Sequence, residues 1–143
     1  MRLLVSEVLS KVATAETEQK KINLLRENYS PALEDVLHWA YDPNIKFYTS
    51  KIPPYTPDQS PTGLAMTSLY NEHKRFYLFL QNTRVDASRK DILLIQMLEA
   101  LSSAEAKIVE SMIQRNIPEV TKDLAMKAYP GLLERPIRIP VEA

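Results

Sequence analysis

Two short stretches carry the residue types that could grip a polyanion. In "NTRVDASRKD", residues 82–91, Thr83, Arg84, Arg89 and Lys90 stand where one helix ends and the next begins. Backbone amides at that second helix start could join them in holding a phosphate. The competing use is a solvated connection whose arginines pair with Asp86 and Asp91. In "IKFYTSKIPPY", residues 45–55, Phe47, Tyr48 and Tyr55 stand beside Lys46 and Lys51. Rings next to lysines suit single-strand binding, although in a proline-rich loop such rings more often pin the loop to the helices. A third stretch, "RNIPEVTKDLAMKAYPGLL", residues 115–133, reads as a loop, a helix start and a stop. Pro118 fits the first turn of a helix, Glu119 suits its dipole, Val120, Leu124 and Ala128 share a face, and Pro130-Gly131 ends it. A helix start is a ready phosphate site, yet this one opens with a carboxylate.

Other chemistries are poorly supplied. The chain has no cysteine, which removes disulfides, thiolate zinc sites and cysteine nucleophiles. His38 and His73 fall on separate helices without the further ligands that a metal site needs, and His38, beside Trp39 in an apolar stretch, reads as a packed or surface histidine rather than a ligand. The pairs Glu34/Asp35 and Glu16/Glu18 read as solvated helix starts. With only Gly63 and Gly131, neither a P-loop, a dinucleotide fingerprint nor a nucleophile elbow can be written. The expectation is therefore no enzyme, no metal and no cofactor.

The elements that must carry these residues are helices. Apolar residues recur at helical spacing along the 143 residues, and no two-residue alternation does. The spacing predicts helices in "MRLLVSEVLSKV", in "TAETEQKKINLLREN" and in "SPALEDVLHWAYD", the last with Ser30 as cap and Pro31 at the first helical position. A long helix is expected from about Gly63 to Leu80. Another should follow from the cap Asp86, with Ile92, Leu93, Ile95, Met97, Leu98 and Leu101 inside. The next should be capped around Ser103 and Ala106, and the helix opening near Pro118 comes last. Five prolines in residues 42–62 impose an irregular loop. The sequence thus describes one all-α domain of about seven helices over residues 1–133 and an extended Pro-containing tail over residues 134–143. Eighteen basic residues balance eighteen acidic ones, so any nucleic-acid or membrane binding needs a local cluster. No apolar run approaches a membrane span, and the N-terminus lacks a signal-peptide core. A cytoplasmic protein is expected.

As a whole the chain resembles the N-terminal helical DNA-binding domain of ATP-dependent DNA ligases, most closely the phage type. The likeness runs in order through "VLSKVATAETEQKKINLLREN", "AYDPNIKFYTSKIP", "NTRVDASRKDILLIQMLEAL" and "IVESMIQRNIPEVTKDLAMKAYPGLL", covering about residues 3–133. The resemblance implies contact with the phosphates of duplex or nicked DNA. It nominates the turn around Thr14, Thr17 and Lys21, the junction Thr83–Arg84, and Arg115, Thr121 and Lys122 in the loop Arg115–Lys122. Double-stranded DNA is then the expected partner, in the host-cell cytoplasm if the chain is phage-encoded. Ligase chemistry is not expected: the Lys-x-Asp-Gly adenylation site is missing, and the chain ends where such a ligase enters its catalytic domain. Two departures weaken the DNA expectation, since Glu16 and Glu119 stand where the family favours glycine. At about 6 Å a carboxylate and a phosphate repel by roughly 1–3 kcal/mol. The alternative is a regulatory or protein-interaction factor acting on replication or transcription machinery.

Overall fold

The computed structural model describes residues 3–61 and 64–137. Helix starts are set by side chains that accept the amide three residues ahead, each such cap contributing about 1 kcal/mol. Thr17 caps α2 (Glu18–Glu27), Ser30 caps α3 (Pro31–Tyr41), Asp86 caps α5 (Ala87–Ala100), Ser102 caps α6 (Ser103–Ile113) and Thr121 caps α7 (Lys122–Ala128). Helix α1 (Val5–Thr14) starts differently: the Glu7 carboxylate reaches back to accept the Leu4 amide at 2.9 Å. The single turn α4 (Leu69–Glu72) runs into a 3-10 segment, His73–Phe79, and a second 3-10 turn, Leu132–Glu134, follows α7. Among the described residues there is no strand, only the isolated bridges Phe47–Leu80 and Asp58–Ser102. Among the described residues the fold is all-α, with seven α-helices.

Helix α3 is the centre. It packs on α6, α4, α7 and both 3-10 segments, and every residue from Ala32 to Ala40 is buried. Trp39 meets Phe76 edge-on at 6.1 Å, and Leu33, Leu37, Leu94 and Leu98 are fully buried in the same core. A helix enclosed on all faces must pair its polar groups. Asp35 Oδ2 lies 2.5 Å from His73 Nδ1, and His38 Nε2 lies 2.8 Å from Asp42 Oδ2. Glu34 accepts from the Tyr29 hydroxyl at 2.7 Å and pairs with Arg135. Glu34 and Asp35 are therefore not a solvated helix start: they are interior groups held by partners from other segments.

Three expected boundaries move. The helix expected from Gly63 to Leu80 is confined to α4 and a 3-10 segment; Gly63 itself lies outside the described residues. The spacing explains the change, because His73, Phe76 and Phe79 are buried at intervals of three, the period of a 3-10 turn. The last helix opens on Thr121, not near Pro118, so Glu119 lies in the preceding turn. Helix α6 is capped by Ser102, one residue before the expected serine. In α5, Leu94 faces the core while Ile92 is largely exposed and Leu93 and Ile95 are only half-buried. Beyond Glu134, Arg135 reaches Glu34 and Ile137 packs on the core; residues 138–143 lie outside the described residues.

Candidate nucleic-acid interface

The two stretches that carry rings and cations, far apart in sequence, lie side by side. Phe47 and Leu80 form an antiparallel bridge, in which Tyr48 N–H donates to Phe79 O and Gln81 N–H donates to Lys46 O, both at 2.8 Å. The Tyr48 hydroxyl donates to Asp91 Oδ1 on α5 at 2.5 Å. Burial first, and then this bond to a carboxylate, pushes the hydroxyl well above its ordinary pKa, so Tyr48 stays a neutral donor. Lys90 is buried, donates to Leu80 O at 2.6 Å and stands 5.5 Å from the centre of the Tyr48 ring. Tyr48 and Lys90 thus bind the loop to the α5 start, as the pinning role of the rings requires. Tyr55 pins the loop further on to α6, donating to Glu110 at 2.6 Å.

What remains on this surface is basic. Residues 45–51 and 81–91 hold five basic and two acidic side chains. Of the acids, Asp86 is occupied by the Arg89 amide and Asp91 by Tyr48. Lys46, Lys51, Arg84 and Arg89 are exposed, and none of them has a salt bridge among the described residues. The competing arrangement, in which these arginines pair with Asp86 and Asp91, does not form among the described residues. Thr83 is half-buried, and its hydroxyl donates to Leu80 O at 3.4 Å.

Arg115 lies against the same loop in an inward role. Its guanidinium donates to Ile45 O at 2.6 Å and to Asp42 O, capping the carbonyl end of α3. Burial lowers its pKa, with Asp42 opposing. Its backbone is left-handed, with φ 66°, a conformation uncommon for a residue with a side chain. The residue type alone gives no signal of this role.

The remaining candidates lie on a different group of helices. Thr14 turns its hydroxyl back to Lys11 O at 3.2 Å, Thr17 is spent as the α2 cap, and Lys21 is half-buried. Helix α2 packs on α7, where Arg26 donates to the carbonyls of Lys127 and Ala128. Thr121 caps α7 and Lys122 is exposed beside it. Acids offset part of the charge on this side: Glu16 pairs with Lys20 at 3.4 Å and Glu18 with Lys127 at 2.6 Å. Glu119 faces a small cavity of about 170 Å³ with Ser6, Ser10 and Lys107.

Among the described residues no group of His, Cys, Asp and Glu is arranged to hold a metal ion, and no helix is long and apolar enough to cross a membrane. No curated protein matches the chain. The model of a family of unknown function, DUF6433, matches residues 8–119, most of the chain, and the chain belongs to that family.

Proposed function

We propose that this chain is a non-catalytic DNA-binding module that meets the phosphates of duplex or nicked DNA where residues 45–51 adjoin residues 81–91. One observation carries the reading: Lys46, Lys51, Arg84 and Arg89 project from adjoining segments whose nearby acids are already engaged. A chain with no net charge has no general attraction for DNA, so a local excess of cations is what such binding requires. The resemblance to ligase DNA-binding domains, which includes the Thr83–Arg84 junction, points to the same place.

The test is a salt titration of binding to intact and nicked duplex, followed by fluorescence anisotropy. Affinity should fall steeply with salt as condensed counterions are released. Arg84→Ala and Arg89→Ala should each weaken binding and reduce the slope by about one unit. Absence of binding at low salt, or full affinity in both variants, would reject the reading. A second reading, a protein-interaction factor on a ligase-like scaffold, is favoured by the Glu16–Lys20 and Glu18–Lys127 pairs, which leave the α1–α2 turn without the excess cations a phosphate contact needs.

A further inference from the structure

Beside the basic surface, the loop of residues 43–50 and the end of α6 enclose an open groove of about 650 Å³. That size falls within the roughly 300–1,000 Å³ of sites that take a small organic group. Its lining is mixed in a particular way. The half-buried rings of Phe47 and Tyr48 offer flat apolar surface, exposed Lys46 supplies positive charge at the rim, and Arg115 adds a second cation whose guanidinium is turned inward to Ile45 O and Asp42 O. The hydroxyls of Thr49 and Ser50 stand at the same groove. Phe47 is only half-buried; it leans on Trp39 with ring centres 6.1 Å apart.

We infer that this groove receives unpaired nucleotides of a single-stranded DNA segment that continues from the duplex held by Lys46, Arg84 and Arg89. A strand has two chemical faces, a polyanionic backbone and flat apolar bases, and the groove presents a counterpart to each. Base stacking on an aromatic side chain tolerates any sequence, because every base has a π-face. Charge complementarity selects the occupant: the groove lining includes two cations and no carboxylate, so an anionic strand fits and a basic partner does not. The groove adjoins the basic surface directly, since Lys46 belongs to both. This inference rests on the DNA-binding reading and adds a preference for DNA with an unpaired end.

The experiment compares a blunt duplex with the same duplex carrying a short oligothymidine overhang, using the full chain and Phe47 variants. The overhang should bind about tenfold more tightly, the effect of roughly one stacked base. Phe47→Leu should remove that preference, and Phe47→Tyr, which keeps the ring, should retain it. A thermal melt checks that each variant folds. Photocrosslinking of a bromodeoxyuridine overhang to the unaltered chain gives a measurement free of folding effects, with adducts expected within residues 45–50. Equal affinity for blunt and overhung duplex overturns the inference while duplex binding stands. A preference that survives Phe47→Leu, or adducts only elsewhere, also overturns it. No binding of either DNA removes the underlying reading as well.

Discussion

Glu105 shows how much a single interior group can set. Its side chain is buried at the start of α6, where Oε1 accepts the Leu69 amide at 3.1 Å and so fixes the start of α4. Oε2 is buried without a hydrogen-bond partner. Burial raises the carboxyl pKa above 4.5, and the nearby amides of Leu69, Ser6 and Val5 only partly oppose it. A carboxyl with a raised folded-state pKa binds more protons folded than unfolded. Its contribution is therefore fully present below about pH 4.5 and is lost as pH rises through the folded value. Glu105→Gln keeps an oxygen for Leu69 and cannot ionise. The variant should be as stable as the parent or more so at neutral pH, and should lose this downward component of the stability–pH curve. Urea midpoints measured across pH 4–8 check it; an unchanged curve would reject the assignment. Nothing in the local residue pattern marks Glu105, because a glutamate in a first turn reads equally well as a solvated dipole partner. The apolar run around His38 leaves it open as packed or surface, and its bond to Asp42 inside the core decides for packed. Glu34 and Asp35 were not legible as interior groups, because their partners Tyr29, Arg135 and His73 come from other segments.

At the scale of elements, local chemistry was readable where one residue decides. Ser30-Pro31 and Asp86 start α3 and α5 as their types require. Where neighbours compete, it was not. Near the last helix, Pro118 and Glu119 are good first-turn residues, but Thr121 supplies the cap and the Tyr41 hydroxyl fixes the turn by donating to Val120 O at 2.5 Å. A tertiary bond thus overrides a local preference. The end of α3 is settled in the same way by Arg115, whose fork spans Ile45 O and Asp42 O. Lysine keeps the charge but has one compact ammonium in place of two directed arms. Arg115→Lys should cost roughly 1–2 kcal/mol, the loss of about one charged hydrogen bond. It should leave duplex affinity of the folded protein nearly unchanged, because the cation remains at the groove. Chemical denaturation and anisotropy on the same variant separate the two effects. A stability equal to the parent's would show that the fork is not what closes α3.

Charge distribution belongs to the whole molecule. The sequence balances eighteen basic and eighteen acidic residues, and the fold separates them. Five basic and two acidic side chains lie where residues 45–51 adjoin 81–91, whereas on the α2–α7 side Lys20 and Lys127 are matched by Glu16 and Glu18. Composition states the total and not this partition, since the bridge that unites the two stretches joins residues 47 and 80. Under the proposed DNA-binding reading, the partition poses the question whether DNA would touch one side of the molecule or wrap onto the α2–α7 side as well. Glu16→Gln with Glu18→Gln frees Lys20 and Lys127 and raises the net charge by two, while the exposed pairs they break are worth at most about 1 kcal/mol each. Stability should therefore change little. If DNA reaches the α1–α2 turn, two repulsions of about 1 kcal/mol each disappear, and duplex affinity should rise about tenfold or more with a steeper salt slope. If DNA meets only the surface of Lys46, Arg84 and Arg89, the gain should stay below about threefold and vanish near physiological salt, where charges beyond about 8 Å are screened. The partition favours this second result. A tenfold gain that persists at physiological salt would instead place the α1–α2 turn on the DNA and make the two glutamates a brake on binding.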